Sequence, residues 1–159
     1  MSEKAKNLAQ RLGAFSAEVI AFVEGCSEKN WKKACAKEKW PVGVTARHIG
    51  AAHFEAVELA RMIVNGVKLP EFTMEQLVAM GNEHARQHAA CTKEDVLGVL
   101  RRNGAALVDY VAGLSDGELE RTGYLALAGG KLTAQQLIEA VILTSGGEHY
   151  ASMKAAVES

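Results

Sequence analysis

Proline occurs only twice in this chain, at Pro41 and Pro70, so nothing in the remaining length forbids long helices. Apolar residues use that freedom at steps of three and four. Leu8, Leu12, Phe15, Val19 and Phe22 make one stripe and predict a first helix over 4–24. A second helix is predicted from about 44 to 65, with Ile49, Ala52, Ala56, Leu59, Ala60 and Ile63 on one face and Asn65–Gly66 as its stop. Thr73 with Gln76 has the spacing of a capping box and opens a third stretch to about Ala90. Thr92 with Asp95 opens another to about Leu114, either continuing the third as a bent helix or packing beside it. Thr133 with Gln136 opens the last, to about Ala156.

Strict alternation never persists, so no sheet is predicted. The expected fold is all-α: one domain over residues 1–159, a four-helix bundle with two long links. One link, SEKNWKKACAKEKWPVG, separates the first two helices and holds both tryptophans. The other, SDGELERTGYLALAGGK, precedes the last helix, with Ser115 and Glu118 predicting one short helical turn and Gly129–Gly130 a loop.

Charge excludes some functions. The 18 basic and 19 acidic residues are interspersed, and no basic stripe suits a nucleic acid. No apolar run approaches a membrane span, and the charged start MSEKAKNLAQ is unlike a secretion signal, so a cytoplasmic protein is expected. Cys26, Cys35 and Cys91 form no CxxC spacing and read as free thiols. There is no GxSxG, P-loop, GxGxxG or HExxH pattern.

Histidine is the residue type left to carry chemistry. On a helical wheel of the last helix, Ile138, Ile142, Ser145, Ser152, Met153 and Ala156 fall within about 60° of His149, which centres that residue on the inward face. Such an imidazole is either a hydrogen-bonded core histidine or a metal ligand. Gly146 and Gly147 interrupt the same helix, which suits close backbone approach or a bulge. In the second helix His48 and His53 fall on opposite flanks of the apolar face, with Glu55 on the side of His48. His84 and His88 are four apart, a spacing that lines a groove or places two imidazoles on one ion.

Three stretches share a pattern with a known family. WKKACAKEKWPVGVTARHIGAAHFEAVELA resembles the tryptophan-rich link and second helix of the DinB-like superfamily (DinB and maleylpyruvate isomerase-like four-helix bundle proteins), with His48 at the family's histidine. MGNEHARQHAACTKEDVLGVLRRNGAALVDYVAGLSDGELER is similar to its middle region, including Asn82, and LTAQQLIEAVILTSGGEHYASMKAAV to its last helix, with His149 and Ser152 matching.

The resemblance implies a four-helix bundle, often a homodimer, holding a divalent metal, commonly zinc or nickel, on three ligands. Those positions are His48, Ser145 and His149. Histidine or glutamate is expected where this chain has Ser145, and a neutral hydroxyl is a poor ligand for such metals. Two outcomes follow. The third ligand comes from elsewhere, with Glu55, His53 and His88 the candidates by reach, or the site is degenerate. The first makes the chain a metal-dependent transferase or isomerase using a low-molecular-weight thiol, or a small-molecule hydrolase. The second makes it a non-catalytic bundle that binds a small ligand or acts as a dimeric interaction module.

Overall fold

A computed structural model describes residues 2–159. Helix α1 (Glu3–Glu24) starts where the Ser2 hydroxyl accepts from the Ala5 amide, and it buries Leu8, Leu12, Ser16, Val19 and Val23. The link that follows contains a short α2 (Glu28–Trp31) and closes on itself, with Ala34 bridged to Pro41. Within that closure the Cys35 amide donates to the Trp40 carbonyl at 2.8 Å and the Lys39 amide to the Cys35 carbonyl at 2.9 Å. Lys39 turns the corner with φ 67°.

The second long helix is not uniform. It begins as α3 (Val42–His48), widens to a π turn over Ile49–His53, tightens to a 3-10 turn over Phe54–Ala56, and resumes as α4 (Val57–Val64). Helix α5 (Met74–Gln87) carries the expected Thr73–Gln76 capping box but buries only Gly81, so it lies on the bundle rather than in it. Helix α6 (Lys93–Ala112) is separate from α5 and buries Val96, Leu100, Gly104, Leu107 and Val111. A short α7 (Asp116–Glu120) follows, with the Ser115–Glu118 box in place. The last long helix runs through α8 (Ala134–Leu137), a π segment over Ile138–Ser145, and α9 (Gly146–Glu158).

The four long helices, α1, residues 42–64, α6 and residues 134–158, enclose one core built on Leu8, Leu12, Ile49, Phe54, Leu100, Leu107, Leu137, Ile138, Ile142 and Met153. Gly104 lets α6 approach α1, since a Cβ there would stand 2.5 Å from Ser16 Oγ. The second link departs from the expectation of no sheet: β1 (Thr122–Leu125) and β2 (Gly130–Thr133) pair antiparallel in a hairpin, Thr122 opposite Thr133. Gly129 turns it with φ 73°. Among the described residues no helix is long and apolar enough to cross a membrane. Cys26, Cys35 and Cys91 are free thiols.

The wheel of the second helix needs one correction. At about 100° per residue, positions five apart diverge, which put His48 and His53 on opposite flanks. A π turn bonds i to i+5 and brings such positions back to one side. His53 therefore turns inward and is buried, as is Phe54, while Ala52 is exposed.

Candidate metal centre

The wide turn of the second helix and the last helix together make a histidine cluster. The ring centroids of His48, His53 and His149 stand 5.0, 5.1 and 4.9 Å apart in a nearly equilateral triangle. One ligand atom from each lies within 4.8 Å of the others, an arrangement that could hold a metal ion. Tetrahedral zinc at about 2.0–2.1 Å per nitrogen draws its ligands closer, to about 3.4 Å.

Each imidazole has a distinct environment. His53 Nδ1 lies 2.8 Å from the Val141 carbonyl oxygen. A carbonyl only accepts, so Nδ1 carries the proton and Nε2 keeps its lone pair. Val141 sits in the π segment of the last helix, so the two wide turns meet at this bond. Gly146 lets them meet: a Cβ there would stand 3.3 Å from the Phe15 ring and 3.7 Å from His53 Cβ. His149 Nδ1 donates to Glu38 Oε2 at 2.6 Å, and Ser152 Oγ donates to Glu38 Oε1 at 2.6 Å. The Glu38 side chain is only 4% exposed, so the closed loop of the first link has folded a carboxylate in behind His149. His149 is thus also left with a free Nε2. His48 Nδ1 is buried and has no hydrogen-bond partner.

Trp40 walls the cluster, stacked near-parallel on His149 with centroids 6.1 Å apart and edge-on to His48 at 4.9 Å. Asn82 holds it there, accepting from Trp40 Nε1 at 3.1 Å. Gly81 makes room, because a Cβ there would stand 3.2 Å from the indole.

Burial and mutual repulsion favour the neutral forms of His48 and His53. Desolvation, followed by the fields of His53, His149 and His84, lowers the His48 pKa from 6.5 to about 3. Desolvation lowers that of His53 to about 4, against the opposing bond to Val141. Beyond the cluster His84 stands 5.6 Å from His48 and accepts from Arg47 Nη1 at 2.8 Å; its pKa falls to about 4, chiefly by burial and then by the Arg47 charge.

Ser145 closes the π segment, and His53 makes the third corner of the histidine triangle. Glu55 is exposed and accepts from Asn103 Nδ2 at 3.4 Å. His88 packs on His84 at 4.8 Å and lines a groove beyond it. Glu38 escaped the sequence reading because a glutamate in a lysine-rich link carries no periodic signal.

Fold and cluster together define a helical bundle with a metal-type histidine centre between its second and last long helices. The chain belongs to the DinB superfamily, whose sequence profile matches residues 11–143. It is similar to a solved structure, YfiT from Bacillus subtilis, described as a probable metal-dependent hydrolase with an unusual four-helix bundle topology. The two share 14% identity at a TM-score of 0.78, over 99% of this chain and 89% of that one, a likeness of fold. No curated protein sequence matches the chain.

Proposed function

We propose that the chain binds one divalent metal ion, zinc or nickel, through His48, His53 and His149, and acts on a small molecule as a metal-dependent hydrolase or thiol-using transferase. The triangle of three imidazoles carries this reading. The description of YfiT favours hydrolysis between the two. Ser145 at a ligand position favours a degenerate site, and His53 at the third corner of the triangle supports a complete one.

The donor set fits such an ion. Borderline divalent metals prefer imidazole, and a ligand must be unprotonated to bind. His48 and His53 meet that condition at neutral pH because burial holds their pKa values at about 3 and 4. His48 Nδ1 is an orphaned buried nitrogen, a lone pair or a proton with nothing to meet. His53 and His149 are fixed by Val141 and Glu38 in the tautomer that leaves Nε2 available. When bound, an ion on three protein ligands keeps an open position and supplies Lewis acidity that lowers the pKa of water or polarises a carbonyl. The protein's part is to hold the rings in place: Glu38 anchors His149, Ser152 anchors Glu38, and Trp40 screens the cluster on one side.

Elemental analysis of protein purified without an affinity tag tests this. About one equivalent of metal is expected after reconstitution, with His53→Ala, His48→Ala and His149→Ala each losing it and Ser145→Ala keeping it. A reconstituted wild type holding less than about a tenth of an equivalent overturns the proposal.

A further inference from the structure

Among the described residues, two buried side-chain nitrogens lack a hydrogen-bond partner: His48 Nδ1 and His84 Nδ1. The first belongs to the cluster. The second lies outside it, and the metal-binding reading gives it no task.

The tautomer of His84 follows from its other nitrogen. Arg47 Nη1 lies 2.8 Å from His84 Nε2. A guanidinium has donors only and keeps its proton in proteins, so Nε2 accepts. A neutral imidazole that accepts at Nε2 carries its proton on Nδ1. His84 therefore holds a buried N–H with no acceptor, a defect native structures rarely keep without a use. Its ring is 5.6 Å from that of His48, centroid to centroid.

Charges of both signs line the groove nearby. Arg47 and Arg102 both line a groove of about 580 Å³, as do His88 and Cys91. Glu94 and Asp95 line it too, yet the arginines ion-paired to a carboxylate among the described residues are Arg11, Arg61, Arg86 and Arg101. The positive charge of Arg47 and Arg102 is not cancelled by direct contact.

We propose that His84 Nδ1–H is the hydrogen-bond donor for an anionic oxygen, of the carboxylate class, on a ligand bound beside the three-histidine centre. Arg47 is its positioning residue: it fixes the donor tautomer and adds favourable charge. This rests on the metal-binding reading of His48, His53 and His149. A metal ion there draws an oxygen ligand to its open position, and outside the cluster the buried side-chain N–H that lacks an acceptor among the described residues is that of His84.

The test uses full-length protein loaded with cobalt(II), with acetate as the probe and the visible spectrum of the metal as the readout. His84→Leu removes the donor; His84→Asn returns an N–H close to the position of Nδ1. Acetate affinity is expected to fall about tenfold or more in His84→Leu and to recover most of that loss in His84→Asn, as for a hydrogen bond to a charged group. Cobalt content and circular dichroism should match wild type in both. Nitrogen-15 NMR should show His84 protonated at Nδ1 in wild type and a mixed population in Arg47→Met. Unchanged acetate affinity in a cobalt-loaded His84→Leu, no acetate binding to loaded wild type, or an Nε2–H tautomer in wild type overturns this proposal alone. A wild type that takes up no cobalt overturns the metal-binding reading and this proposal with it.

Discussion

Glu38 shows how much one side chain can do from a loop. Its carboxylate accepts a hydrogen bond from His149 on one oxygen and from Ser152 on the other while almost wholly withdrawn from water. Carboxylate partners of ligating histidines hold ring and tautomer, and their loss typically costs 10–100-fold in metal affinity. Glu38→Ala is expected to weaken metal binding by about that factor without abolishing it, measured by competition with a chromophoric chelator. Ser152→Ala should fall short of it, since it leaves the His149 bond intact. At this scale the sequence was legible in part. His149 stood out on the helical wheel and His48 on the family resemblance. His53 did not, because the wheel assumes a constant turn and this helix changes turn between the two histidines. Glu38 had no signal at all, since its role depends on a loop closure between residues 34 and 41.

The elements that build the site are the irregular ones. Both long helices that carry histidines contain a π segment, Ile49–His53 and Ile138–Ser145, and the bond from His53 to Val141 joins them. Asn103 Nδ2 adds a side-chain donor to the first, reaching the Gly50 carbonyl at 2.9 Å. Such wide turns recur at functional sites because they reorient side chains that an α-helix would send elsewhere. Gly146 is the hinge of this packing. Alanine there meets Phe15 at 3.3 Å, a half-buried ring with room to give, and removes a helix-interior glycine. Gly146→Ala is therefore expected to change stability by less than about 1 kcal/mol, whereas Gly146→Val should cost about 1–3 kcal/mol by overpacking, read from urea unfolding. Helix starts were legible because a capping box is local chemistry, as at Thr73, Ser115 and Thr133. The hairpin was not, because strands of four residues are too short to display alternation.

For the molecule as a whole, the lowered pKa values of His48 and His53 make stability depend on pH. His48 and His53 titrate at about 3 and 4 in the folded chain, against the ordinary 6.5. Between those limits the unfolded chain holds more protons than the folded one, so the sign is fixed: stability is full above about pH 6.5 and is lost progressively as pH falls towards 4 and 3. Metal-free protein is expected to melt at a clearly lower temperature at about pH 5 than at about pH 7.5, with a shallower dependence in His53→Asn, followed by circular dichroism. The bundle itself was legible from stripes and prolines, since four amphipathic helices have few ways to cover one another. Where they wind unevenly was not, because that is settled by contacts between segments distant in the chain.

Distance along the chain gives the histidine triangle a further meaning. Glu38 and His149 are 111 residues apart, and His48 and His53 lie on the same side of that interval. In polymer terms, an ion gripped there is a reversible cross-link closing most of the chain into one ring. Only the folded chain brings the three donors together, so binding energy at this point is shared by the entire bundle and raises its resistance to unfolding with ion concentration.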